Sequence, residues 1–172
     1  MRGIGQICKK ISVFLLVIFF LAGCNSQTKD AIGVTEEPPQ ETKALENGEV
    51  EISIYGMDTE TFELKDYVAV IPKKQMNAFT IVNEVVKVFA EGNIEIALDK
   101  VTQKSGNVYV SFKRSGVPVK GVSKKVEKVI LDAISNSLLD NVENCEKVYF
   151  QIEGQKYETD NIQLDLETPY SW

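Results

Sequence analysis

The sequence predicts an α+β fold, a two-layer sandwich in which a mostly antiparallel sheet is covered on one face by two helices. Short strand-like alternations of apolar and polar residues come in pairs. Two longer stretches carry apolar residues at helical spacing and separate those pairs. Turn-length links join the strands within each pair, so the order is β-β-α-β-β-α-β-β. Antiparallel pairs with helices covering one face satisfy such an order.

The first strand begins near Glu49, where Val50, Ile52 and Ile54 alternate with Glu49, Glu51 and Ser53. Gly56-Met57-Asp58-Thr59 reads as a turn. A second strand over Asp66 to Ile71 is rich in Val and Tyr and stops at Pro72, which lacks a ladder donor. In the first helix Ala78, Ile81, Val82, Val85, Val88 and Phe89 make one apolar stripe. Asn77 is placed to cap its start, and Gly92 to end it in the left-handed conformation.

Ile94, Ile96 and Leu98 alternate again, giving a strand to about Val101. The turn Lys104-Ser105-Gly106-Asn107 leads into the clearest strand, in which Val108, Val110 and Phe112 alternate with Tyr109 and Ser111. Ser115-Gly116-Val117-Pro118 breaks it. The second helix runs from about Val122 to Leu139 with Ser123 as its cap. Val126, Val129, Ile130, Ala133, Ile134 and Leu138 form its buried face, while Lys124, Lys125, Glu127, Lys128 and Asp132 fall mostly off that face. Val148, Phe150 and Ile152 then alternate with Tyr149 and Gln151. A tight turn at Glu153-Gly154-Gln155 starts a short return strand through Tyr157, and the tail to Trp172 reads as a loop held by a few apolar side chains.

Ahead of this domain the chain has a different character. Arg2, Lys9 and Lys10 precede the apolar run Ile11–Ala22, whose one polar member is Ser12. That run is short of the roughly 20 residues that span a bilayer. It has the basic, apolar and small-residue regions of a secretory signal. Its exit, Leu21-Ala22-Gly23-Cys24, resembles the bacterial lipobox. The resemblance implies that Cys24 is diacylated and becomes the first residue after cleavage. Two or three acyl chains, at about 0.8 kcal/mol per buried methylene, hold a protein to a membrane where one does not. Residues 1–23 are thus expected to be a lipoprotein signal peptide. Residues 24–48, with few apolar side chains and with Pro38-Pro39, are expected to be a flexible tether of roughly 25–30 Å end to end. Residues 49–172 are expected to be the folded domain, outside the cytoplasm.

Charge and residue usage narrow the chemistry. Removing residues 1–23, which hold three basic and no acidic side chains, takes the net charge from −6 to −9. Such a surface does not suit nucleic acid, which needs clustered Lys and Arg. The chain has no histidine, which excludes Ser-His-Asp and Cys-His arrangements and His-ligated zinc. Cys145 is left without a disulfide partner or an activating base and reads as a partly buried, inert thiol. No cofactor or metal is expected.

The run Gly106-Asn107-Val108-Tyr109-Val110-Ser111-Phe112, the helix through Ile130, Ala133 and Ile134, the strand and turn Val148-Tyr149-Phe150-Gln151-Ile152-Glu153-Gly154, and Pro169-Tyr170 together resemble the GerMN domain of sporulation and spore-germination lipoproteins. Tyr55, ending the first strand, looks similar to the opening of that family. The resemblance covers about residues 49–170. It implies a fold similar to ring-building motifs, small α+β domains that stack side by side, and hence protein–protein contact at the cell surface. It implies no catalytic residue.

The expected function is therefore a non-enzymatic, lipid-anchored interaction module on the outer face of the cytoplasmic membrane of a Gram-positive spore former. Its partners are the membrane, through Cys24, and an envelope protein or the cell wall, in an assembly of like or unlike subunits. Tyr109, Tyr149 and Tyr157 alternate with the apolar faces of their strands and are the candidate contact residues. The alternative is an enzyme acting on peptidoglycan through paired carboxylates, with Glu95 and Asp99, or Asp58 and Glu60, as the pairs to test. A small-ligand-binding lipoprotein is a third reading, for which a domain of this size lacks the usual two-lobed cleft. Converging carboxylates in a deep pocket would favour the enzyme, and an open sheet edge the binding module.

Overall fold

The computed structural model describes residues 43–44 and 47–171, so the expected signal segment, Cys24 and nearly all of the expected tether lie outside the described residues. The elements are β1 (Lys43–Ala44), β2 (Glu49–Met57), β3 (Leu64–Pro72), α1 (Ala78–Glu91), β4 (Leu98–Lys104), β5 (Asn107–Phe112), α2 (Lys124–Asn141), β6 (Lys147–Ile152), β7 (Gln155–Glu158) and β8 (Gln163–Leu164), with a 3-10 turn at Lys73–Gln75. The fold is α+β and mostly antiparallel, with the helices packed on the inner faces of the strands.

The arrangement of the strands differs from expectation. The strands divide into two sheets, β1-β2-β3 and β4-β5-β6-β7-β8. The pair β5–β6 is parallel, because its link is a helix and not a short turn. A crossover through a helix returns the chain in its original direction. And β1 falls inside the stretch expected to be tether, pairing Lys43 with Glu51 and Ala44 with Val50.

The first sheet is built on β2. Val50, Ile52 and Ile54 are buried, while the alternating residues are half-exposed. Gly56 is not in a turn but in the strand, paired with Lys65. A Cβ there would come within 2.5 Å of Val88 Cγ1 and 2.7 Å of Tyr67 Cε2, so only glycine lets α1 pack this closely. The turn starts at Asp58, whose carboxylate accepts the Glu60 and Thr61 N–H groups.

Both helices begin as expected. Asn77 Oδ1 accepts from Thr80 N at 3.1 Å and Ser123 Oγ from Val126 N at 3.4 Å, caps worth about 1 kcal/mol each. At the end of α1 Gly92 keeps a negative φ, and Asn93 takes the left-handed conformation instead. Asparagine tolerates that region better than most residues.

Helix α2 is buried on more than one side. Val129, Ile130, Ala133, Ile134 and Leu138 are buried, as the periodicity predicts, and so are Leu131 and Glu127. The second half of α2 also closes the edge of β2 beyond β1. Tyr55 N–H donates to Ser137 Oγ at 2.9 Å, and Asn141 Nδ2 donates to the Ser53 carbonyl at 2.7 Å. Two polar side chains of the helix thus occupy main-chain groups that a further strand would have used.

In the second sheet the β4–β5 and β6–β7 hairpins turn on pairs with positive φ, Ser105-Gly106 and Glu153-Gly154. This conformation matches the twist of the flanking strands. The strand expected over Ile94–Val101 begins later, at Leu98. Its register against β5 slips between Leu98 and Lys100, a bulge centred on Asp99. The C-terminal tail is held at three points by one residue. Tyr170 N–H donates to the Val148 carbonyl, its hydroxyl donates to Asp132 Oδ1, and its ring meets the Phe150 ring edge-on at 5.0 Å.

Candidate functional site

The helices cover one face of the second sheet and leave residues 109, 111, 149 and 151 on the other. The parallel register sets Tyr109 beside Tyr149, and their rings stack with centroids 5.0 Å apart. Tyr109 is half-buried, whereas Tyr149, expected at the surface, is buried at 8 % exposure. Of the three tyrosines expected at a contact surface, these two share the helix-free face.

Tyr157 does not. It is 0 % exposed and lies in the core against Phe112 and Phe150. The reason is register. The two-residue turn pairs Ile152 with Gln155 and Gln151 with Lys156, so the next position sets Tyr157 across from Phe150 on the helix side. The turn residues Glu153-Gly154 were legible in the sequence, and counting back from them would have placed Tyr157 inside.

Beside Tyr109 the helix-free face dips into an open groove of about 280 Å³. Asp99, Lys100 and Thr102 line it from β4, Tyr109 and Ser111 from β5, and Gln151, Glu153 and Gly154 from β6 and its turn. Ser111 organises one end. It is buried, donates to Asp99 Oδ2 at 3.0 Å and accepts from Gly154 N at 3.0 Å. The bulge at Asp99 brings its carboxylate to this position. Glu153 is held by Arg114, whose backbone N–H lies 3.3 Å from Oε1 and whose Nε lies 3.6 Å from Oε2.

Of the carboxylates considered for catalysis, Asp99 lines the groove and the other three do not. Glu95 is exposed and lines a different cavity, with Asn93, Ile94 and Val117. Glu95 precedes β4 and Asp99 sits in its bulge, so regular strand alternation does not relate them. Asp58 is a turn anchor. The N–H groups of Thr61 and Glu60, then Lys65, hold its carboxyl below the usual range. Among the described residues no three of His, Cys, Asp and Glu group as metal ligands. Cys145 packs against the core, and burial pushes its thiol up, away from the reactive thiolate.

Sequence reasoning missed two other features. Glu127, expected on the solvated side of α2, is 0 % exposed. Its Oε1 accepts from Tyr157 Oη and Thr159 Oγ1, and its Oε2 from Asn161 Nδ2, each at 2.8 Å. These donors lie 30 to 34 residues away in sequence, beyond the reach of any local pattern. The second is the outer edge of β3. Antiparallel ladders alternate inward- and outward-pointing main-chain groups. With Ser53 and Tyr55 of β2 directed at α2, the pairs 50–71, 52–69 and 54–67 face each other. Asp66, Val68 and Val70 therefore present their N–H and C=O groups to the open side. Val68 is 69 % and Val70 50 % exposed, an apolar strand edge of the kind that proteins normally cover.

Comparison with known families gives one match. The family model Germane, described as sporulation and spore germination, matches residues 53–158. This span begins inside β2 and ends at the last residue of β7. It takes in both helices, the groove and the β3 edge. Searches of curated proteins and of solved structures find no match to the chain.

Proposed function

Because the chain belongs to the sporulation and spore germination family, we propose that it acts as a lipid-anchored protein-interaction module of the cell envelope. Cys24 carries the lipid, the tether runs from residue 24 to the start of β1 at Lys43, and the domain stands on the outer face of the cytoplasmic membrane of a Gram-positive spore former. Its work is binding and not turnover. The observation that carries this reading is the edge of β3, with Val68 and Val70 exposed beside main-chain donors and acceptors to which no other described residue bonds. Such an edge accepts a strand from a partner, the main chain supplying affinity and the alternate side chains specificity. A module of this kind suits the side-by-side packing of ring-building motifs, the partner being a second copy or another envelope protein. Among the described residues, no helix is long and apolar enough to cross a membrane.

The test uses intact cells. A photo-crosslinking residue at Val68 is expected to trap a discrete protein adduct. The same probe at Lys87, on the exposed side of α1, is expected to trap none. Cys24→Ala is expected to leave the precursor uncleaved or the protein released from the membrane. Peptidoglycan turnover by the purified protein, lost on changing one carboxylate, would replace the binding reading with the enzymatic one. No adduct from either Val68 or Val70 would remove the β3 edge from it.

A further inference from the structure

We propose that the groove between Asp99, Tyr109 and Gln151 binds a sugar ring of a neutral glycan chain. The reading above enters only in the choice of glycan to test, since an anchored envelope domain faces wall polymer. The β3 edge lies on the other sheet.

The chemistry of the lining selects the class. Tyr109 is the aromatic wall, and its stack on Tyr149 fixes its position at 5.0 Å. Two carboxylates and the three hydroxyls of Thr102, Tyr109 and Ser111 can accept hydrogen bonds, while the Gln151 amide and the Lys100 ammonium can donate. Asp99 and Glu153 are already oriented by Ser111 and Arg114, so they are placed acceptors and not free anions. The side chains of Lys100, Thr102 and Gln151 make no hydrogen bond to another described residue, and Lys100 makes no ion pair. Their polar groups stand ready for a ligand. A ligand for this surface must give and accept hydrogen bonds in similar number and offer one apolar patch to an aromatic ring. A pyranose does both, with hydroxyls around its rim and C–H groups on its faces.

Other classes fit less well. A phosphate or carboxylate ligand would meet two acidic side chains and one lysine. A peptide strand would need main-chain groups, but on a sheet face these are spent in the ladders and only side chains are offered. The volume, about 280 Å³, lies just below the roughly 300–1,000 Å³ usual for ligand pockets. That suits one ring of a chain that continues out of an open groove.

Amide-shift titration of the full-length protein in detergent micelles tests this. The probes are the tetramer of β-1,4-linked N-acetylglucosamine and the tetramer of α-1,4-linked glucose, each to about 10 mM, a range that detects millimolar affinity. The N-acetylated probe is expected to shift Thr102, Tyr109, Ser111 and Gln151 and to leave β3 unmoved. Equal response to the glucose tetramer would keep the sugar site but take away its tie to the wall. Gln151→Ala is expected to weaken binding about fivefold, the loss of one hydrogen bond, and Tyr109→Ala more than about tenfold. Val68→Asp, which disrupts the β3 edge, is expected to leave the titration unchanged. Shifts confined to other surfaces, no shift with either probe, or wild-type affinity in folded Gln151→Ala would overturn the proposal. So would a protein adduct trapped by a crosslinker at Tyr109, which would make the face a protein contact instead.

Discussion

Glu127 shows how a single residue ties distant parts of the chain together. Its two oxygens take three hydrogen bonds from Tyr157, Thr159 and Asn161. No cation pairs with it among the described residues, and the nearby start of α2 is the favourable end of the helix dipole for an anion. The arrangement fastens β7 and the turn after it to α2. Burial, and then the Glu127 carboxylate, push the Tyr157 hydroxyl far above its ordinary 10.0. Below that pH the tyrosine is protonated in both folded and unfolded chains. Above it only the unfolded chain releases the proton, so stability falls as pH rises. Tyr157→Phe is expected to lower stability at pH 8 by about 1.5–3 kcal/mol, through the lost bond to a charged group. It should also flatten the decline above pH 10, as read by urea unfolding across pH. An unchanged alkaline slope would show that Tyr157 ionises freely in the folded state.

At the scale of elements, the parts with local causes were legible. The alternation in β5 and β6, the stripe of α1 and the caps at Asn77 and Ser123 depend on residues within a few positions of each other. They appear where the pattern puts them. What depends on pairing between elements was not legible. The parallel β5–β6 pair, the division into two sheets and the burial of Glu127 are decided by partners dozens of residues away. The groove was half visible. Tyr109 and Tyr149 were singled out, but the bulge that brings Asp99 to Ser111 has no signature in a single sequence. Gly56 illustrates the same limit, since glycine after an alternating run reads as a turn. In the structure it is the place where α1 and Tyr67 close on β2. Gly56→Ala is therefore expected to destabilise by about 1–3 kcal/mol, the usual cost of overpacking. A lowered urea midpoint with an unchanged slope would check it. A neutral result would mean that Val88 and Tyr67 move aside freely.

Across the whole molecule, one contiguous core joins the inner sides of both sheets to both helices, and the chain's end helps to close it. Tyr170 bonds to the main chain of β6 at Val148, reaches Asp132 on α2 and packs its ring on Phe150. Between strand β6 and helix α2 it thus bridges the two layers where β7, paired only at Gln151 and Ile152, leaves the β6 edge open. A tail of this composition would otherwise have little reason to order, since fixing each residue costs about 1–2 kcal/mol. The order of residues 165–169 then depends on Tyr170 more than on their own contacts. Tyr170→Ala is expected to cost about 2–4 kcal/mol, near the value for an aromatic ring lost from a core. It should also raise amide exchange from Asp165 to the end and at Val148, with β2 and α1 much less affected. Tyr170→Phe keeps the ring and the main-chain bond and should recover most of the loss. Equal destabilisation by both variants would assign the effect to the hydroxyl on Asp132 instead of the packed ring, and wild-type stability in both would show that the tail merely rests on the domain.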